Sequence, residues 1–232
     1  MRRNFWAISV LLITLLIPWT TTAQDEAEGG FPPVEQLRAV AVAEFPHDTD
    51  AFTQGLLIED GVMYESTGRF GQSSVREVDL ETGEVLRKTD LPDEFFGEGL
   101  AYVNDRLYQI TWQAGIAIVY DVAPPEEDPA MFTTLGAFRY NGEGWGLCYD
   151  GERLFMSDGT TGITIRDPET FQTLGTYRVT LYGAFVDEIN ELECVGDEIY
   201  ANIWQSDTII RFDKTTGVVD AVIDGSGLLV PE

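Results

Sequence analysis

One carboxylate, two carboxamides and three indoles occupy two fixed positions of an internal repeat. That inventory suits holding a small polar group and moving a proton. The segments Gly55 to Tyr64, Gly99 to Tyr108, Gly146 to Phe155 and Glu191 to Tyr200 superimpose. Each has an apolar residue second, another seven positions later, and an aromatic directly after that. Immediately before them stand Gln54, Glu98, Trp145 and Asn190, and fourteen residues further on come Gly68, Trp112, Gly159 and Trp204. Core packing would place similar apolar residues at equivalent positions. A mostly apolar surround with a few placed polar groups is instead how ligand pockets are built. Desolvation there should raise the Glu98 pKa toward a range useful for proton transfer.

The elements that must position these residues follow from the rest of the repeat. In each unit the next strand-like run ends in an aspartate (Asp79, Asp121, Asp167, Asp213), and in three units turn formers follow, as in Asp213-Lys214-Thr215-Thr216-Gly217. Apolar alternation is clear in Ala117 to Tyr120, Ile163 to Ile165 and Ile209 to Phe212, and no helical period is sustained. The chain reads as all-β. Units of about 45 residues with four short strands are the pattern of a β-propeller, whose sheets bury their faces only by stacking on one another. In that architecture the innermost strands line a central channel, so equivalent positions form rings around one pocket. Leu37 to Phe45 reads as a lone outermost strand that would complete a closing blade, the fifth. The other strands of that blade should follow Gly227, and the sequence ends at Glu232. The expectation is therefore a five-bladed β-propeller over residues 37–232 with its last blade incomplete, the chain being C-terminally truncated.

Arg2 and Arg3 precede an apolar run from Phe5 to Ile17, followed by small residues at Thr21-Thr22-Ala23. This reads as a secretory signal over residues 1–23, too short for a bilayer anchor, with an acidic flexible leader over 24–36. The implied location is secreted or periplasmic, with no stable membrane insertion after cleavage. Forty acidic against fourteen basic residues give a net charge of -26, which excludes binding to a phosphate backbone as a main function. A single histidine and two cysteines are too few for a His/Cys zinc site, so metal-dependent hydrolysis is not expected.

The sequence resembles the plant and bacterial type of glutaminyl-peptide cyclotransferase from about Phe45 to Leu229. The resemblance is carried by Pro46-His47-Asp48 with Ala51-Phe52-Thr53-Gln54-Gly55-Leu56, by Phe96-Gly97-Glu98-Gly99-Leu100 and Gly144-Trp145-Gly146-Leu147, and by Asn190-Glu191-Leu192-Glu193 with Asn202-Ile203-Trp204. It implies a five-bladed propeller that turns N-terminal glutamine of peptides or proteins into pyroglutamate with loss of ammonia, without cofactor or metal. It also implies Glu98 as the catalytic residue, and Phe52, Gln54, Phe96, Trp112, Trp145, Asn190 and Trp204 as the substrate pocket. The family's pocket lysine would fall in the last blade, beyond this sequence. On this reading Glu98 shuttles the proton, Asn190 and Gln54 donate to substrate oxygen, and the indoles enclose the aliphatic chain. The protein is expected to act as a monomer. The competing reading is a non-catalytic exported propeller that binds peptides or a protein partner through its channel.

Three features carry no assigned chemistry. His47 precedes the first blade and is expected in a turn or packing role. Cys148 and Cys194 lie in adjacent inner strands, but their repeat positions differ by one residue, which points them to opposite sheet faces and argues against a disulfide. Acidic runs such as Asp25-Glu26 and Glu126-Glu127-Asp128 lack the spaced ligand loop of a calcium site and read as solvated surface.

Overall fold

The aspartates that end the repeat's strands do so by capping tight turns. Asp79 Oδ1 accepts from the Glu81 and Thr82 amides and the Thr82 hydroxyl. Asp167 does the same with Glu169 and Thr170, and Asp213 with Thr215 and Thr216. These bonds hold all three carboxyls below the usual carboxylate range, the threonine hydroxyl being the largest cause at Asp79 and Asp167. Each turn reverses the chain and generates the next antiparallel strand.

The structure, a computed structural model, describes residues 31–228. The proposed signal, most of the acidic leader and Asp25-Glu26 lie outside the described residues. Four antiparallel four-stranded blades follow one another. The first holds β2 (Thr53–Glu59), β3 (Val62–Thr67), β4 (Ser74–Val78) and β5 (Val85–Asp90). The second holds β6 (Gly97–Tyr102), β7 (Arg106–Thr111), β8 (Ile116–Asp121) and β9 (Thr133–Arg139). The third holds β10 (Leu147–Tyr149), β11 (Leu154–Ser157), β12 (Gly162–Arg166) and β13 (Thr173–Arg178). A small hairpin, β14 (Thr180–Leu181) with β15 (Ala184–Phe185), leads to the fourth. That blade holds β16 (Ile189–Val195), β17 (Glu198–Ile203), β18 (Thr208–Asp213) and β19 (Val219–Asp224).

The described residues thus form an all-β, propeller-like arrangement of four blades, not the five expected from the sequence. The N-terminal strand, β1 (Glu35–Arg38), pairs in parallel with β19 and makes a fifth strand of the fourth blade's sheet. It begins two residues inside the expected leader and ends at Arg38, short of Phe45. The expectation that Leu37 to Phe45 lacks a partner is corrected: Leu37 lies opposite Ile223 and Arg38 opposite Asp224.

The core sits between blades. Alternate residues of β7 and β8 face opposite ways, as strand geometry requires. Leu107, Ile118 and Tyr120 join a cluster with Tyr64 and Val75 of the first blade, while Tyr108, Ala117 and Val119 join one with Leu154 and Met156 of the third. A third cluster joins the third and fourth blades. The faces of β2 and β16 turned away from these clusters expose Leu56, Ile58 and Val195. Over the first blade, His47 Nε2 lies 2.9 Å from Glu65 Oε1, and Arg76 pairs with Asp48 at 2.8 Å. His47 is exposed, and this hydrogen bond to the buried Glu65 ties it to the first blade. Glu126, Glu127 and Asp128 are exposed in the loop between β8 and β9.

Cys148 and Cys194 form a disulfide, with Cα atoms 5.5 Å apart. The expectation against it treated the two strands as sharing one sheet. They belong to stacked blades, and when blades stack it is opposite faces that meet: Cys148 points forward to the fourth blade and Cys194 back to the third, beside Phe155, Leu192 and Ile199. The bridge closes a loop of 46 residues, for which chain entropy assigns about 4 kcal/mol of stabilisation, and measured bridges about 2–4 kcal/mol. Cys148→Ala with Cys194→Ala should lower the melting temperature by roughly 5–15 °C. A thermal melt unchanged by the double substitution and by added reductant would refute that role.

Candidate active site

Close approach of the inner strands decides where the ring residues point. A Cβ on Gly55 would stand 2.7 Å from Leu100 N, one on Gly99 2.5 Å from Leu147 N, and one on Gly146 would meet the backbone of Asn190 and Glu191. Glycine at the head of the repeat lets successive inner strands meet backbone to backbone. In three of the four blades the residue before the repeat's first position falls at an irregularity. Pairing slips between Thr53 and Gly55, between Gly97 and Leu100, and between Ile189 and Leu192. Gln54, Glu98 and Asn190 each sit at one of these bulges, a device that re-aims a side chain out of the ladder. Trp145 lies just before β10 begins.

All eight residues singled out in the sequence line one cavity of about 630 Å³: Glu98, Gln54, Asn190, Phe52, Phe96, Trp112, Trp145 and Trp204. The aromatics form an arc. Phe52 meets Phe96 edge-on at 6.2 Å, Phe96 meets Trp112 at 5.7 Å, and Trp145 meets Trp204 at 5.5 Å. The two ring glycines make room for this wall, since a Cβ on Gly159 would strike the Trp145 indole and one on Gly68 the Phe96 ring.

Glu98 is only 7% exposed. Burial, then the nearby Glu143, pushes its pKa up to about 9, so at neutral pH it holds a proton. Glu191 is its neighbour in space. Glu191 stands where the other three repeats have glycine, and the nearby Leu100 and Leu147 amides act to lower the pKa of its carboxyl. Burial, then the neighbouring carboxyl of Glu98, raises its pKa well above the usual range.

The expectation of a single carboxylate in the pocket is also corrected, because Glu143, Asp158 and Glu188 line it too. They lie off the ring positions, in segments between strands. The only sequence signal was the Asn141-Gly142-Glu143-Gly144 turn composition ahead of Trp145.

A propeller-like stack of sheets thus encloses a buried carboxyl among indoles and carboxamides, an arrangement that can hold a small polar group and exchange a proton with it. The sequence profile described as glutamine cyclotransferase matches residues 10–232, and the chain belongs to that family. It is 43% identical over 180 residues to the glutaminyl-peptide cyclotransferase of Arabidopsis thaliana, covering 76% of this chain and 53% of that protein. The chain thus spans about half the length of the curated relative it matches. The solved glutaminyl cyclase of Myxococcus xanthus superimposes with a TM-score of 0.77 at 41% identity, covering 85% of this chain and 80% of that one.

Proposed function

We propose that the protein cyclises the N-terminal glutamine of peptides and proteins to pyroglutamate and releases ammonia, with Glu98 carrying the proton and no metal taking part. The observation that supports this most is the buried Glu98 in a cavity walled by indoles and edged by Gln54 and Asn190, where burial raises its pKa. Membership of the family and likeness to two proteins named for this activity support the same reading.

The chemistry is an intramolecular aminolysis, so most of the barrier is met by folding the side chain into a near-attack geometry. The α-amine nitrogen bonds to the γ-carboxamide carbon, and the carbon–nitrogen bond of the carboxamide breaks. Glu98 gives its proton to the departing nitrogen, which leaves as ammonia, and regains one from the attacking nitrogen, which ends as the ring amide. Gln54 and Asn190 donate to the developing oxyanion. The indoles enclose the methylenes of the folding side chain. The exported location and action as a monomer belong to this reading. So does a further blade, which would cover the flank where Leu56, Ile58 and Val195 are exposed.

The experiment is ammonia release from a Gln-initiated peptide, with an Asn-initiated peptide as control. Release should persist in EDTA and phenanthroline, and a loss restored by added zinc would overturn the metal-free reading. The pH profile is a second check. The attacking amine must be unprotonated, which favours pH above about 8, and Glu98 must hold its proton, which is lost through about pH 9. The ratio kcat/KM should therefore rise toward pH 8 and fall above 9. A profile still rising beyond pH 10 would contradict the acid role.

A further inference from the structure

Glu143 enters the cavity from the loop between β9 and β10. Trp112 Nε1 and Trp145 Nε1 donate to its Oε2 at 2.8 and 3.0 Å, and Gln113 Nε2 donates to its Oε1 at 3.0 Å. An indole has one donor, so both of these indoles direct theirs to this carboxylate and keep their ring faces for apolar contact. Trp112 follows β7 of the second blade and Trp145 precedes β10 of the third, so one side chain spans the seam between two blades. The loop itself is held by the Gly144 amide, which donates to the Trp112 carbonyl at 2.9 Å.

We propose that Glu143 is a positioning residue of this site: it clamps the indoles of adjacent blades into one substrate wall and fixes a negative charge in the cavity that holds Glu98. The hydrogen bond from Trp145, then those from Gln113 and Trp112, hold the Glu143 carboxyl below the usual range, while Glu98 is displaced the other way. Two carboxyls driven apart in this manner divide their roles, one staying charged and one staying protonated. Glu98 is faced by Glu143 from this loop, by Glu191 from β16 and by Tyr140 just after β9, while Asp158 and Glu188 line the same cavity. Among these acids, Glu143 is the one joined to both indoles.

The kinetic part of this inference rests on the proposed cyclisation; the structural part does not. Two substitutions separate charge from clamp. In Glu143→Gln the new carbonyl can accept both indoles and Gln113 can turn its amide to match, so the wall stays and the charge goes. KM should stay within about threefold of the parent, since every hydrogen bond is kept. The basic limb of kcat/KM should move to lower pH, and so should the carboxyl ¹³C titration of Glu98, assigned by its absence in Glu98→Gln. Glu143→Ala removes both, and should raise KM roughly tenfold or more and shift the tryptophan emission to the red.

An unmoved basic limb and an unmoved Glu98 titration in Glu143→Gln would overturn the proposal, as would parent KM and emission in Glu143→Ala. If Glu143→Ala fails to fold, the Glu98 titration in Glu143→Gln decides. A parent protein inactive on Gln-initiated peptides would sink the proposed function, and the titration and emission would still decide the role of Glu143.

Discussion

Glu98→Gln is expected to keep the fold and the shape of the cavity while turnover on a Gln-initiated peptide falls roughly 10²–10⁴-fold, the usual weight of general acid–base catalysis. The substitution is nearly isosteric. It also removes an ionisable group from a site where the side chain is 7% exposed, so stability should not suffer. If Glu98 served only to anchor the substrate amine, KM would rise and kcat would stay near that of the parent. Kinetics on this variant separates the two roles, and activity within a factor of a few would remove Glu98 from the chemistry.

The second large effect is expected at Trp145. Its indole packs edge-on against Trp204, lies over Gly159 and donates to Glu143. Trp145→Ala therefore removes a wall of the cavity and frees a second wall to move. A central aromatic anchor of this sort contributes about 2–3 kcal/mol, so kcat/KM should fall roughly 30- to 140-fold, with KM raised and kcat lowered. Trp112→Ala and Trp204→Ala should act in the same direction with smaller size, because each leaves the Trp145 indole in place. Parent kinetics in all three would return these residues to packing alone.

The blades and the pocket were legible because every blade must satisfy the same constraints. Glycine is needed where inner strands touch, aspartate where a hairpin turns, and alternation where both faces of a sheet are buried. A side chain that departs from its ring, such as Glu98 opposite Gln54, then stands out against the repeat. The repeat could not show what lies outside it. Glu143 sits in a loop of no fixed spacing, and its partners come from two blades. The bulges that turn Gln54, Glu98 and Asn190 inward insert residues into the pairing without changing the pattern of residue types. The disulfide was misjudged because alternation within a sheet was applied to two sheets stacked face to face. At the N-terminal edge, β1 joins the fourth blade by parallel pairing, and the apolar residues of Leu37 to Phe45 say nothing about strand direction.

The central claim is that this cavity closes an N-terminal glutamine on itself. Its most direct test is mass spectrometry of a Gln-initiated peptide incubated with the protein at pH 8, beside the same peptide with Glu98→Gln and with no protein. The expected result is loss of one ammonia from the peptide and a blocked N-terminus with the parent protein, at a rate far above both controls. An unchanged peptide mass, or equal conversion by the parent protein and Glu98→Gln, would contradict it.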